Sequence, residues 1–239
     1  MRNDFDGVVI EDRQVVEDAV VCRNLSVEGT AEFMSEVEAD YVDISGEACF
    51  DVYVSCDKMT VRNRCVCKSS LLTTSVRVLG AMAVYGKLHS ETVIVGGALK
   101  FRSTFRTAAL SVRSGSLVKG SALLRTSRCT VHGVINNSGV LTSENLLISS
   151  DRTSRIQEIR ADKLLVKYNT ASGKPIPDGS FLLVSDFVDC FSADLEYCNI
   201  ERLYCDSAVI RRGCTIHEIL YRDSIEIEQG ARVERLSRT

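Results

Sequence analysis

The amino-acid sequence predicts an all-β fold, a parallel β-helix (solenoid) with about 17 residues per coil, and three observations carry that reading. First, Val27, Ile44, Val61, Val78, Val95 and Val112 stand 17 residues apart, and two positions before them stand Leu25, Val42, Met59, Val76, Val93 and Leu110. Both columns are wholly apolar. Second, two positions after the first column come Gly29, Gly46, Asn63, Gly80, Gly97 and Ser114, which is turn chemistry at the same period. Third, apolar and polar residues alternate within each unit, as in Tyr41-Val42-Asp43-Ile44-Ser45-Gly46, and a period of two is that of a strand. A unit this short cannot enclose its own apolar face. Equivalent strands of successive units must therefore stack, at about 4.8 Å per coil, into a rod whose columns run along its axis.

The elements follow in order. Residues 1–7 form an N-terminal leader, because Val8 and Ile10 lie one period before Leu25 and Val27 and begin the repeat. Coils then fill 8–167. Each adds further apolar columns: Ala31, Ala48, Cys65, Met82 and Leu99; Phe33, Phe50, Cys67, Val84 and Phe101; Val37, Val54, Leu71, Leu88 and Phe105. The register slips near Ser114-Gly115, since Cys129, Val131 and Gly133 follow Leu110, Val112 and Ser114 by 19 residues, and it resumes with Leu146 and Ile148 after 17. Residues 168–180 contain both prolines of the chain and two of its glycines, which marks a loop or insertion. C-terminal coils occupy 181–239, where Leu195, Ile210 and Ile227 align, as do Cys198, Cys214 and Ala231. About twelve coils result.

Composition narrows the function. A chain of 239 residues that is 45% hydrophobic is too apolar for disorder, and 2 prolines among 15 glycines exclude collagen-like and proline-rich classes. Acidic residues in Met1-Arg2-Asn3-Asp4-Phe5-Asp6 are unlike a secretion signal, and the longest weakly polar stretch, Val78 to Gly86, is far short of the roughly 20 residues of a membrane span. The expected location is the cytoplasm, where the 10 cysteines are reduced thiols. Most fall on inward columns and read as packing. Cys65-Val66-Cys67 is spaced too tightly for a zinc ribbon, so no metal is expected.

His89, His132 and His217 are each isolated from any nucleophile motif, and glycine-rich phosphate cradles are absent, so no catalytic residue, cofactor or small-molecule substrate is expected. The alternative reading is a β-helix enzyme of the acyltransferase or carbohydrate-active class. The acyltransferases build coils of 18 from three hexads, a punctuation this chain lacks, and the carbohydrate-active enzymes carry clustered carboxylates on long loops.

The recurring units Leu25-Ser-Val-Glu-Gly-Thr-Ala-Glu-Phe33 and Val93-Ile-Val-Gly-Gly-Ala-Leu-Lys-Phe101 resemble those of the bactofilins, bacterial polymer-forming cytoskeletal proteins. The stretches Val209 to Tyr221 and Ile225 to Leu236 are similar to the closing coils of the longer Gram-positive type. The resemblance implies a right-handed β-helix. It also implies a homopolymer assembled end to end without nucleotide, a scaffold for envelope or motility components, with other bactofilins among its partners. The N-terminus does not match the short membrane-binding peptide of some members.

Two surfaces are candidates for assembly. Each end of a β-helix presents unpaired backbone and a slice of core. Val8, Val9 and Ile10 at one end and Ile225, Ile227, Val233 and Leu236 at the other are therefore the expected polymer contacts. The second surface is electrostatic. The formal net charge of −3 hides a segregation: residues 1–58 hold 15 acids and 4 bases, 59–167 hold 5 and 17, and 168–239 hold 12 and 8. The column Glu17, Met34, Asp51, Lys68, Tyr85, Arg102, Lys119 runs from acidic to basic. Lys68, Arg102 and Lys119 form a basic stripe for an anionic partner, either the acidic part of a neighbouring protomer, another protein, or the inner face of an anionic membrane. Nucleic acid is disfavoured, because Phe101 and Phe105 lie on inward columns and cannot stack on bases.

Overall fold

A computed structural model describes residues 7–169 and 179–239. The protein is a parallel β-solenoid of about 13 turns with roughly 17 residues per turn, and no helix occurs among the described residues. Its chain divides into two compact units, up to Leu110 and from Ser111. Residues 170–178, most of the expected 168–180 loop, and residues 1–6 of the expected leader lie outside the described residues.

In the first unit β1 (Val8–Ile10) and β2 (Arg13–Val16) open the stack. Eight-residue strands then alternate with four-residue strands: β3 (Val20–Val27), β4 (Thr30–Phe33), β5 (Val37–Ile44), β6 (Glu47–Phe50), β7 (Val54–Val61), β8 (Arg64–Cys67), β9 (Leu71–Val78), β10 (Ala81–Val84), β11 (Leu88–Val95) and β12 (Ala98–Phe101). β13 (Phe105–Val112) reaches the boundary. Pairing keeps the sequence period without a slip: Leu25 faces Val42, Val42 faces Met59 and Met59 faces Val76. The columns expected to be inward are inward. Val27, Phe33, Ile44, Phe50, Val61 and Val78 are completely buried, and the Phe33 and Phe50 rings stack with centroids 4.7 Å apart.

Each long strand bends in its middle. In β5, Val37, Ala39, Val42 and Ile44 point inward while Asp40 and Tyr41, consecutive, both point out, so one strand supplies two of the three faces of a turn and the short strand the third. The bend packs a column of small residues, Cys22, Ala39 and Cys56, which continues as Thr73, Ser90 and Thr107. Their hydroxyls are occupied. Thr73 Oγ1 lies 3.1 Å from the carbonyls of Asp57 and Ser75, Ser90 Oγ 3.1 Å from Thr74 and 3.0 Å from Thr92, and Thr107 Oγ1 3.1 Å from Glu91 and 3.0 Å from Ala109. A corner interrupts the regular ladder, and these hydroxyls donate to the carbonyls there. At the opposite turn the glycine column is set by close approach: a Cβ on Gly46 would lie 1.9 Å from the carbonyl oxygen of Gly29.

The second unit contains the rest of β13 with β14 (Leu117–Gly120), β15 (Leu124–Val131), β16 (Val134–Ser150), β17 (Ser154–Tyr168), β18 (Leu183–Leu195), β19 (Cys198–Ile210), β20 (Thr215–Ile227) and β21 (Arg232–Arg238). The expected slip at Ser114-Gly115 is a tight turn in which Gly115 takes φ +80° and Ser116 N–H donates to the Arg113 carbonyl at 3.1 Å. β18 stacks directly on β17, with Ser154 opposite Leu183 and Val166 opposite Leu195. The coils after residue 181 therefore continue the stack of the coils before the loop.

Candidate interaction surfaces

Among the described residues, no strand pairs with the outer edge of the first turn, formed by β1, β2 and the start of β3. Ile10 is buried, Val8 half-buried, and Val9 and Val15 are 58% and 53% exposed. Val9 alternates outward, since its neighbour one turn on is Ser26, so Val8 and Ile10 are the core slice and Val9 its rim. The last turn is open in the same way: β21 pairs only with β20 through Thr215 to Tyr221, and the second half of β20 pairs only with β19. Ile225 and Ile227 there continue the columns of Ala208 and Ile210, and Val233 and Leu236 those of Ile216 and Ile219. The parent columns are buried. Ile225 and Val233 are half-buried, and Ile227 and Leu236 are 41% and 46% exposed. Arg211 ties this turn down, reaching Asp194 at 2.6 Å and Glu228 at 2.7 Å; both carboxylates push its guanidinium pKa up.

The basic column is less free than its sequence suggests. Lys68 Nζ lies 2.7 Å from Asp51 and 3.6 Å from Glu32, side chains of the two preceding turns. The hydrogen bond from Lys68 holds the Asp51 carboxyl below its ordinary range, and the same contact raises the Lys68 pKa. Arg102 lies over the Tyr85 ring at 4.8 Å from its centroid, a cation–π contact along the column. Lys119 is exposed at the third position of β14, in the second unit. Glu32, Cys49 and Asp51 bring one ligand atom each within 4.8 Å of one another, but the ammonium of Lys68 is itself bound to Asp51 there. Burial pushes the Cys49 thiol pKa up, and its hydrogen bond to Asp51 adds to the shift.

The three histidines fall on three different outer positions. His89 is half-buried on β11, and His132 Nδ1 sits 3.0 Å from the Ser149 carbonyl. His217 Nδ1 is 2.7 Å from Glu234 and its Nε2 2.6 Å from Arg235, on a strand surface where its side chain is 37% exposed. The histidine and carboxylate are thus part of an open ion-pair network that includes Arg232. Eight of the cysteines are buried; burial pushes Cys56 up to about 11 and Cys129 up to about 12, which keeps both as neutral packing groups.

The geometry defines the class: a parallel β-solenoid with two open edges and charged outer columns. Comparison with family models, with curated proteins and with solved structures finds no match to this chain.

Proposed function

We propose that this protein is a non-enzymatic, polymer-forming scaffold of the bactofilin type, which assembles end to end without nucleotide and positions envelope or motility components in the cytoplasm. The observation that carries the reading is the pair of open edges. An unpaired parallel strand with half-exposed core residues beside it is a template for another strand of the same kind, and a second copy of this chain supplies that strand with the right pitch. Val8 and Ile10 at one edge and Ile225, Ile227, Val233 and Leu236 at the other are the core contacts of this assembly, with Val9 at the rim. The charged outer columns keep the flanks solvated, so that growth is confined to the edges.

Electron microscopy of the purified protein without nucleotide tests the reading. Filaments that form at micromolar concentration and physiological salt are expected. Persistent monomers at high concentration under those conditions overturn it.

A further inference from the structure

The face built by the short strands of the first unit carries a second contact. The first and third residues of β2, β4, β6, β8, β10 and β12 point outward from it, and the residue after each strand lies at its edge. In β2 to β6 these positions hold Glu17, Glu32, Glu47 and Asp51 with one base, Arg13; in β8 to β12 they hold Arg64, Lys68, Lys100 and Arg102 with no acid. The sign changes between β6 and β8, where Glu47 is the register partner of Arg64. Between the charges the face is low and partly apolar: Cys49, Val66, Ala81, Ala83 and Ala98, with Met34 46% and Tyr85 37% exposed on its edge.

We propose that this face pairs with the same face of a second copy, the two stacks running antiparallel about a two-fold axis that lies along the strand direction between β6 and β8. That operation sets β6 against β8 of the other copy, β4 against β10 and β2 against β12. Glu47 then meets Arg64, Asp51 meets Lys68 and Glu17 meets Arg102, each contact occurring twice, as an isologous interface requires. Met34 meets Tyr85, a thioether against an aromatic edge, and Cys49 meets Val66. The Asp51–Lys68 pair inside each copy becomes half of a four-charge cluster. A parallel overlay of the same faces would set Glu47 on Glu47 and Arg64 on Arg64, so the charge pattern selects the antiparallel one.

Six strands at about 4.8 Å and about five residues at 3.3 Å give roughly 400 Å² per copy, near half of what a standard interface buries on each side. One such contact is weak. Copies joined end to end present it repeatedly, and repetition converts it into firm lateral association, so its strength, though not its geometry, rests on the assembly proposed above.

The test is a disulfide that only this arrangement allows. Residues 34 and 85 are three turns apart in one copy, about 14 Å, beyond disulfide reach, so Met34→Cys with Tyr85→Cys can be bridged only between copies. In a background with Cys22→Ser and Cys49→Ser, mild oxidation is expected to give covalent dimers from the double variant and none from either single variant or from a Thr60→Cys control on another face. About 1 M salt, with its screening length of about 3 Å, should abolish them. Adding Glu47→Lys with Asp51→Lys, or Arg64→Glu with Lys68→Glu, should each abolish them, and mixing these two proteins should restore them. Dimers from Met34→Cys alone, equal yield from the control, or no dimer in preparations that form filaments overturns the lateral pairing while the end-to-end reading stands. Dimers without filaments do the reverse.

Discussion

Truncating the exposed core at the last turn measures how much the open edge contributes to assembly. Full burial of an isoleucine or leucine side chain is worth about 1.5–3 kcal/mol. Ile227 and Leu236 are still 41% and 46% exposed in the single chain. Covering that remainder therefore contributes about 1 kcal/mol from each and about 2 kcal/mol from both. At about 1.4 kcal/mol per factor of ten, this is roughly a 30-fold change in the association constant. The double variant Ile227→Ala, Leu236→Ala is expected to raise the critical concentration for polymer by about that factor. Leu236→Arg should block polymer more completely, because a guanidinium would be buried against apolar neighbours. Pelleting or light scattering over a concentration series reads the critical concentration, and circular dichroism checks that the stack is intact. A double variant that keeps the native spectrum and the wild-type critical concentration would refute the reasoning, since the edge would then be solvated in the polymer as well.

Three further outcomes bear on the fold. Val61→Asp places a carboxyl at a fully buried site between Ile44 and Val78, at a cost of several kcal/mol; burial raises that carboxyl's pKa, so the deficit in melting temperature should be smaller at pH 4 than at pH 8. Gly46→Ala should lower the melting temperature although its φ is ordinary, because its Cβ meets the Gly29 carbonyl, whereas Gly115→Ala meets nothing within 4 Å and is strained only by φ +80°. Native protein treated with a thiol reagent at pH 8 should label Cys22 and Cys49, the half-buried pair, well before the buried eight. Rapid labelling of Cys129, whose pKa burial pushes up to about 12, would contradict its place in the core.

The first unit was legible because one residue of sequence period equals one turn of structure. Val61 pairs with Ile44 and Val78, the residues 17 before and after it, and each apolar column survives as a buried stack. The bend in the long strands was not legible. Thr73, Ser90 and Thr107 look like solvent-facing polar positions, yet they line the core corner, and only the carbonyls of the interrupted ladder explain why a hydroxyl is satisfied there. The small residues Cys22, Ala39 and Cys56 in the same column were the available signal of a narrow corner. In the second unit, the stacking of β18 on β17 could not be read through residues 168–180, which carry no period. The open edges followed from spacing alone. Lys68 did not: spacing places it two turns from Met34 and one from Asp51, but its reach to both Asp51 and Glu32 depends on a flexible side chain lying along the axis.

The two proposed contacts differ in the force that holds them, which makes them separable in one experiment. The edges present Val8, Ile10, Ile227 and Leu236 together with unpaired backbone, so their association is driven by apolar burial and strand pairing and persists in high salt. The short-strand face presents Glu47 and Asp51 against Arg64 and Lys68 with little apolar area, so its association is driven by exposed charges and fails once the screening length drops below their separation. Raising ionic strength should therefore dissolve lateral bundles into single filaments before it shortens the filaments themselves. The opposite order, with filaments falling apart while side-by-side pairs remain, would mean that the charge reversal between β6 and β8 is the primary assembly contact and the open edges are secondary.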